Sequence, residues 1–328
     1  MRAPVHAPSR RRLLQLAAAA LLPVGCGREP PLLRLGANPW LGCEPLFLAR
    51  DRGQLAPERI RLVALPSNTD VLLALGAARL EVAVLTLDET LSARSGGIPL
   101  QIVAVLDRSV GADVLLARAG IDTLPQLAGR RIGVKKTAIG ALLLHAALRA
   151  GGLEIDDVQV VHLNYDAHLP AFRRGEIDAV VTFEPRASVF EHEGAQRLFD
   201  SADTPVPLMD VLVVREDRDR RLDAPLRRTI AAHLDTVALL QRQPDTTLAQ
   251  MQVRQRLSLP ELKRAFAGVA YPDLAGQHAW LSGHPARIET QAAQLAEHML
   301  EIGLLARPVP LAHLVDDHLL PTAAERAP

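Results

Sequence analysis

Between residues 32 and 215, short apolar runs alternate with helix-forming segments, and this alternation constrains the fold most. Strands that alternate with helices form βαβ units and largely parallel sheets. The runs are apolar almost throughout, which indicates that helices cover both faces of each sheet. From residue 215 to residue 305 the pattern is helical. The predicted strands are LLRLGA (32–37), RLVAL (61–65), LEVAVLTLDE (80–89), LQIVAVLD (100–107), ADVLLAR (112–118), RRIGV (130–134), VQVVHL (158–163), IDAVVTFEP (177–185) and VLVVR (211–215).

The first 30 residues have the pattern of an export signal and tether rather than of a fold. Arginines stand at positions 10–12, an uncharged run covers residues 13–22, and small residues precede Cys26. This order is typical of a secretion signal, and SRRRLL also resembles a twin-arginine export motif. The tripeptide VGC resembles the end of a lipobox, which predicts a lipid anchor on Cys26. A plain cleaved signal peptide is the alternative.

Charge and cysteine content argue against several partners and cofactors. Lys plus Arg and Asp plus Glu both number 37, so the formal net charge is zero, and no basic stripe for nucleic acid is visible. The two cysteines cannot form a disulfide framework. The motifs CxxC, HExxH and GxxxxGK[ST] are absent. We therefore expect no nucleic-acid partner, no metal and no cofactor.

The segment NPWLGCEPL at residues 38–46 carries one of only two tryptophans. Pro39 and Gly42 indicate a loop after the first strand. Trp40 can offer a ligand a flat apolar face and an N–H donor. Trp40 is therefore predicted to form one wall of a binding cleft. The alternative is that its ring fills the apolar core as a plug.

Two segments, LALGAARLEVAVLTLDE and AFRRGEIDAVVTFEP, both run from helix through glycine to a strand that ends in an acid. This weak internal echo suggests two α/β lobes of similar construction. Ligands of open α/β sheets lie beyond the carboxyl ends of the strands. Thr86, Asp88, Asp107 and Glu184 are therefore expected around one shared cleft. Taken singly, each is equally well explained as a strand-end turn residue.

Two predicted helix starts could receive an anionic or carbonyl group. Ser67, Asn68 and Thr69 lie between a strand and a helix, where free N–H groups suit such a ligand. Thr137 and Gly140 occupy the matching position in the second half. Plain helix capping is the alternative at both places, and the neighbouring lysines 135 and 136 are more simply solvated.

Five acids form the other candidate set: Asp88, Asp107, Asp113, Glu184 and Asp210. Buried acids are costly unless they are paired. Several acids around one cleft suit an amine or a protonated nitrogen heterocycle better than a sulfonate. Acids at hinges also cap backbone N–H groups, which is the competing interpretation.

The segments LGANPWLGCEPLFLARDRG, LALGAARLEVAVLTLDE, TLPQLAGRRIGVKKTAIG and FRRGEIDAVVTFEP resemble the substrate-binding proteins of ABC importers of the nitrate/sulfonate/taurine and thiamine-precursor type. The resemblance implies a type II periplasmic-binding-protein fold, with two mostly parallel sheets flanked by helices. Lobe one would comprise residues 31–110 and 212–328, and lobe two residues 111–211. Two hinge crossings are expected at residues 108–112 and 205–211. Cys43 stands where relatives more often carry an aromatic residue.

This family implies a monomeric periplasmic or cell-surface protein that passes a small solute to an ABC permease and ATPase complex in the inner membrane. An enzyme on the same fold, similar to pyrimidine synthases or menaquinone-pathway enzymes, and a solute sensor are the alternatives. No catalytic residue is expected. The predicted ligand-binding residues are Asn38, Trp40, Glu44, Ser67, Asn68, Thr69, Thr86, Asp88, Asp107, Thr137, Gly140, Phe183, Glu184 and Asp210.

Overall fold

The computed structural model describes residues 31–55, 59–135 and 138–322. The predicted export signal, its twin-arginine motif and the predicted lipid anchor Cys26 lie outside these residues, as do Lys136 and Thr137. Within the described ranges, no helix is both long and apolar enough to cross a membrane.

Eleven strands are present in the described part of the chain, and nine of them coincide with the predicted apolar runs. The two others, β9 and β11, lie at sheet edges, where half-exposed strands need fewer apolar residues. The strands are β1 (Leu33–Ala37), β2 (Ile60–Ala64), β3 (Val82–Thr86), β4 (Leu100–Ser109), β5 (Asp113–Ala117), β6 (Arg131–Val134), β7 (Gln159–His162), β8 (Ala179–Phe183), β9 (Gln196–Asp200), β10 (Met209–Arg215) and β11 (Val269–Ala270).

Capping side chains fix the starts of the helices nearest the strand ends. The Ser67 hydroxyl accepts a hydrogen bond from the Asp70 amide, and Thr86 forms a capping box with Glu89. The helices are α1 (Glu44–Asp51), α2 (Asn68–Gly76), α3 (Leu87–Ser95), α4 (Ala138–Ala150), α5 (Tyr165–Arg173), α6 (Arg186–His192), α7 (Asp223–Arg242), α8 (Pro244–Gln255), α9 (Leu259–Ala267), α10 (Leu274–Leu281) and α11 (Arg287–Glu301).

Sheet one contains six strands in the order β11–β4–β10–β3–β1–β2. Strand β1 pairs in parallel with β2 and β3. Strand β10 lies antiparallel between β3 and β4, and β11 is antiparallel to β4. The side chains of β3 and β4 are buried almost throughout, as their apolar runs predict.

Sheet two contains five strands in the order β7–β6–β8–β5–β9. Strand β6 is parallel to β7 and β8, whereas β5 is antiparallel to β8 and β9. The prediction of two helix-flanked α/β sheets is confirmed. Both sheets are mixed rather than mostly parallel, because β5 and β10 each enter a sheet from a crossing and run against their neighbours.

The chain crosses between the two sheets twice. Residues 110–112 join β4 to β5, and a second connection joins β9 to β10. The hydroxyl oxygens of Ser109 and Ser201 lie 2.7 Å apart, so the two crossings run side by side. The segments predicted as hinges, residues 108–112 and 205–211, overlap these connections, and their hinge motion stays a prediction.

Candidate ligand-binding site

A pocket of about 120 Å³ is lined by residues from both sheets. Most of the lining residues stand at or just after the carboxyl ends of β1, β2, β3, β4, β6 and β8. This is where open α/β sheets bind ligands. A single water needs roughly 10–15 Å³ by a comparable measure, so the pocket has room for a small solute.

Three aromatic rings form a row through the pocket. Trp40, from the loop after β1, contacts Phe183 at the end of β8, with ring centroids 5.4 Å apart and planes at 83°. Phe183 in turn contacts Tyr165 of α5 at 4.8 Å and 86°. Edge-to-face pairs of this kind stabilise by about 0.5–1.5 kcal/mol beyond their buried area. The Trp40–Phe183 pair therefore links residues carried by the two different sheets.

Trp40 is fixed at its other end by a hydrogen bond. Its indole N–H donates to Oδ1 of Asp107 at 3.1 Å. Gly42 makes this arrangement possible, because a Cβ at that position would lie 1.8 Å from Oδ2 of Asp107 and 2.5 Å from the indole nitrogen. From the sequence, cleft wall and core plug are alternative roles for Trp40. Trp40 is both, since it lines the pocket and is only 9% exposed.

Neighbouring strands bring three of the predicted acids together. Asp210 of β10 is in register with Thr86 of β3 on one side and with Asp107 of β4 on the other. Asp113 opens β5 immediately after the crossing, where its amide donates to the Ser109 hydroxyl at 3.0 Å. All three aspartates line the pocket and are buried.

Burial is the main cause of the shifted titration of this acidic group. It raises the pKa of Asp107 to about 7, with a further rise from the charge of Asp113 and an opposing effect of the Trp40 hydrogen bond. Burial likewise raises the pKa of Asp113 to about 6 and that of Glu89 to about 7. For Asp210, burial and then the charges of Asp107 and Glu89 raise the pKa well above its ordinary value. These carboxyls lie close together with little positive charge near them.

Two cations stand against the aromatic row from the side of sheet two. The Lys135 ammonium lies 5.0 Å from the Tyr165 ring centroid. The Arg186 guanidinium lies 5.5 Å from the Tyr165 centroid and 5.3 Å from that of Phe183. Cation–π contacts of this kind hold a charged group in place while leaving its N–H donors free for an anion.

The structure gathers most of the sequence-predicted residues around the pocket, because strand ends and helix starts converge there. Ser67, Asn68 and Thr69 come from the start of α2, and Thr86 from the start of α3. The predicted residues that line the pocket are Asn38, Trp40, Ser67, Asn68, Thr69, Thr86, Asp107, Asp113, Phe183 and Asp210.

Glu44 and Glu184 do not line the pocket, and each is paired with a nearby cation. Glu44 is fully buried and accepts hydrogen bonds from Arg254 at 2.9 Å and from Gln255 at 2.7 Å, which join α1 to α8. Glu184 accepts from the Ser188 hydroxyl at 2.8 Å and pairs with Arg197 at 3.3 Å. Both acids therefore have structural partners that the sequence pattern did not reveal.

Two further predicted residues, Asp88 and Gly140, do not line the pocket. Asp88 was predicted at a strand end, but α3 begins at Leu87, so Asp88 lies in the first turn of that helix with Oδ2 buried and without a partner among the described residues. Gly140 of α4 does not line the pocket, although the adjacent Ile139 does. Thr137 lies outside the described residues.

Several lining residues were missed, and for most of them the sequence carries little signal. Lys135 was interpreted as solvated, and Tyr165 and Arg186 were not singled out. Arg186 follows the strand-end sequence FEP directly and opens α6, so the strand-end rule could have found it. The missed lining residues are Pro39, Pro66, Glu89, Ser109, Lys135, Ile139, Tyr165, Arg186, Leu208 and Met209.

A family model described as NMT1/THI5 like matches residues 43–247, more than half of the chain. The chain belongs to the NMT1/THI5-like family. The range that matches this family contains every pocket residue except those of the loop after β1. The resemblance expected from the sequence is thereby confirmed.

Individual relatives of this NMT1/THI5-like chain include the taurine-binding periplasmic protein of Escherichia coli (strain K12). It is 24% identical over 195 residues, covering 58% of this chain and 61% of that protein. The chain thus spans about three fifths of the length of this curated relative.

Solved structures share the fold over nearly the whole chain. The periplasmic aliphatic sulphonate binding protein SsuA from Escherichia coli has a TM-score of 0.75 at 21% identity, covering 90% of this chain and 94% of its own. The desulfurization enzyme DSZB has a TM-score of 0.61 at 17% identity, covering 88% of this chain and 97% of its own. The same architecture therefore occurs in a binding protein and in an enzyme.

Proposed function

We propose that the protein is the extracytoplasmic solute-binding component of an ABC importer and captures a small organic solute between its two sheets. The observation that carries this proposal is the pocket lined by strand ends of both sheets, with Trp40 and Phe183 in contact across it. A solute held there would touch both sheets at once, which is the geometry needed for closure around a ligand. The solute belongs to the nitrate, sulfonate, taurine or thiamine-precursor class.

Binding without catalysis fits the nucleophiles near the pocket. The Cys43 thiol is completely buried, and burial together with the charge of Asp210 raises its pKa well above the ordinary value, which disfavours a reactive thiolate. The Ser109 hydroxyl is engaged by Ser201 and by the Asp113 amide. Covalent catalysis through either of these two groups would need a base that activates it.

The export-type N-terminus supports a location outside the cytoplasm. A monomer outside the cytoplasm, free or held through Cys26, would deliver its solute to a permease and ATPase complex in the inner membrane. A solute sensor would use the same pocket. Uptake of the identified solute by cells with and without the protein separates the two roles, because only an importer component is required for uptake.

Mass spectrometry of small molecules released from the purified protein tests the proposed function. We expect one organic solute in near-stoichiometric amount, recovered chemically unchanged after incubation with the protein and rebound in calorimetry. Conversion of that solute into a product would support the enzyme alternative. Failure to bind any member of the proposed solute classes would contradict a solute-binding role.

A further inference from the structure

The charged side chains of the pocket are sorted by sign. Four carboxyls form an acidic face: Glu89, Asp107 and Asp210 from sheet one and its helices, and Asp113 at the first position of β5. The two lining cations, Lys135 and Arg186, both come from the sheet-two side, as does the Tyr165 ring against which they lie. Three of the four carboxyls therefore lie on the sheet-one side and both cations on the sheet-two side. The exception is Asp113, which stands in register with Phe183 in sheet two.

The acidic face lacks a cation of its own among the described residues. Asp210 is only 5% exposed, and the charged groups that raise its pKa beside burial are all carboxylates. Oδ2 of Asp107 is buried and has no partner among the described residues. Burying an ionised carboxylate without a partner is expensive. A positively charged group brought in by a solute would satisfy both side chains.

The cationic face is similarly available for an anionic group. Arg186 has an ion pair with Asp166 at 3.4 Å, but the Asp166 side chain is 96% exposed, so solvent weakens this pair. The guanidinium keeps several donors for an oxyanion. The indole of Trp40, which is hydrogen-bonded to Asp107, contacts Phe183, and the Arg186 guanidinium lies 5.3 Å from the Phe183 centroid. These two rings form an apolar stretch between the two charged faces.

We propose that the pocket selects a solute carrying a cationic nitrogen and an oxyanion on one short carbon skeleton, with the nitrogen against Asp107, Asp113 and Asp210 and the oxyanion against Lys135 and Arg186. This inference rests on the proposed function and narrows it. Aminosulfonates, aminophosphonates and aminocarboxylates share this chemistry. A plain alkanesulfonate has no group for the acidic face and binds weakly.

Capture of such a solute is linked to proton release. A cation beside the acidic face lowers the pKa values of carboxyls that hold protons near neutral pH, so protons leave as the cation arrives. Affinity for the amine-bearing solute therefore rises between about pH 5.5 and about pH 8. A purely anionic solute shows the opposite slope. The titratable and charged groups that face this region are Cys43, Asp88, Glu89, Asp107, Asp113, Lys135, Arg186, Asp210 and Tyr271.

Calorimetry with two probes of equal size tests the charge requirement. In 2-aminoethanesulfonate an ammonium group replaces the terminal methyl of propane-1-sulfonate. We expect the amine probe to bind at least about tenfold more tightly at about pH 8, as charge-assisted hydrogen bonds predict. Its binding should release protons into the buffer. The corresponding aminophosphonate and aminocarboxylate show which oxyanion is preferred, and preference for any of them supports the proposal.

Variants locate the effect in the pocket. Asp210→Asn should weaken binding of 2-aminoethanesulfonate at least about tenfold and should not weaken binding of propane-1-sulfonate, because it removes a group that repels an anion. Arg186→Gln should weaken binding of both probes. Asp178→Asn is the control, because Asp178 pairs with Arg131 at the opposite end of β8, and it should keep the wild-type ratio between the probes.

Equal affinity for the two probes, or an Asp210→Asn variant that is folded and keeps the wild-type preference, would overturn the charge requirement. A protein that prefers a plain alkanesulfonate would also overturn it, while leaving the proposed solute-binding function intact. Absence of binding to any solute of the proposed classes would instead contradict that function. Thermal unfolding of each variant shows whether it is folded.

Discussion

The indole N–H of Trp40 donates to Oδ1 of Asp107 at 3.1 Å, which ties the loop after β1 to the end of β4. The same ring meets Phe183 of sheet two edge to face at 5.4 Å. The Trp40 side chain thus holds the Asp107 carboxylate of the acidic face in place and also contacts the other sheet. Gly42, two residues after Trp40, has no side chain and therefore leaves room for the Asp107 carboxylate.

Trp40→Phe removes the indole donor and keeps an apolar ring. We expect the free energy of unfolding to fall by about 1.5–3 kcal/mol, the range for hydrogen bonds to charged groups. Urea denaturation at about pH 8, where Asp107 is mostly ionised, measures the effect. Unchanged stability would show that the hydrogen bond from Trp40 contributes nothing to the fold.

Gly42→Ala introduces a methyl group where Oδ2 of Asp107 would lie only 1.8 Å away. Because the carboxylate and the indole must then move apart, we expect a loss of about 1–3 kcal/mol in unfolding free energy together with weaker solute binding. Gly76→Ala is the matched control, since the nearest atom there is a methyl of Ile98 at 3.6 Å, an ordinary contact. Equal effects of both substitutions would contradict the steric account.

Stability of the solute-free protein should fall as the pH rises from about 4 to about 7. Asp88, Asp107 and Asp113 have folded-state pKa values of about 6, about 7 and about 6. Because these exceed the unfolded value near 3.9, the folded state binds protons more tightly. The resulting stability is fully present below about pH 4 and is lost as pH passes the folded pKa values. Thermal unfolding at a series of pH values measures the slope.

Asp107→Asn and Asp210→Asn should each flatten that slope and raise the melting temperature at neutral pH, because one repelling charge is removed. Residues that bind a ligand often lower the stability of the folded protein, and we expect Asp107 and Asp210 to be such residues. Asp178→Asn should leave the slope above pH 4 unchanged, since the pairing of Asp178 with Arg131 lowers its pKa. A wild-type protein that becomes more stable from about pH 4 to about 7 would contradict this prediction.

Glu44→Gln should destabilise the fold, because Arg254 would lose the buried carboxylate that it binds between α1 and α8. Because Arg254 is 22% exposed and keeps Asp51 as a second partner, we expect a loss of about 1.5–3 kcal/mol, the range for hydrogen bonds to charged groups. Glu176→Gln is the control, because the Arg174–Glu176 pair is exposed on both sides and should give no measurable change in urea denaturation. A similar result for both variants would show that the Glu44 contact is not structural.

Local patterns in the sequence predicted the parts of the site that depend on a single element. The loop position of Trp40 and the strand-end positions of Asp107 and Phe183 follow from apolar runs and their punctuation. The cap residue Ser67 follows from a helix-start signal, whereas Thr86 was predicted from its position at a strand end. These inferences need only the rule that ligands bind beyond strand carboxyl ends.

Partners that are distant in the chain could not be predicted in the same way. Nothing near Glu44 in the sequence reveals that Arg254 will reach it, and nothing near Glu184 reveals Arg197 on an edge strand. The place of Lys135 beside Tyr165 depends on how β6 and α5 pack. Charge pattern alone therefore identified an acidic face and missed the cations that stand near it.

Fluorescence of Trp40 tests most directly the central claim that the solute binds between the sheets. The chain has only two tryptophans, so Trp280→Phe leaves Trp40 as the sole indole reporter. We predict a saturable change in emission on titration with the solute, with the same dissociation constant that calorimetry gives. Tight binding by calorimetry without any change in Trp40 emission would place the solute elsewhere and contradict the account.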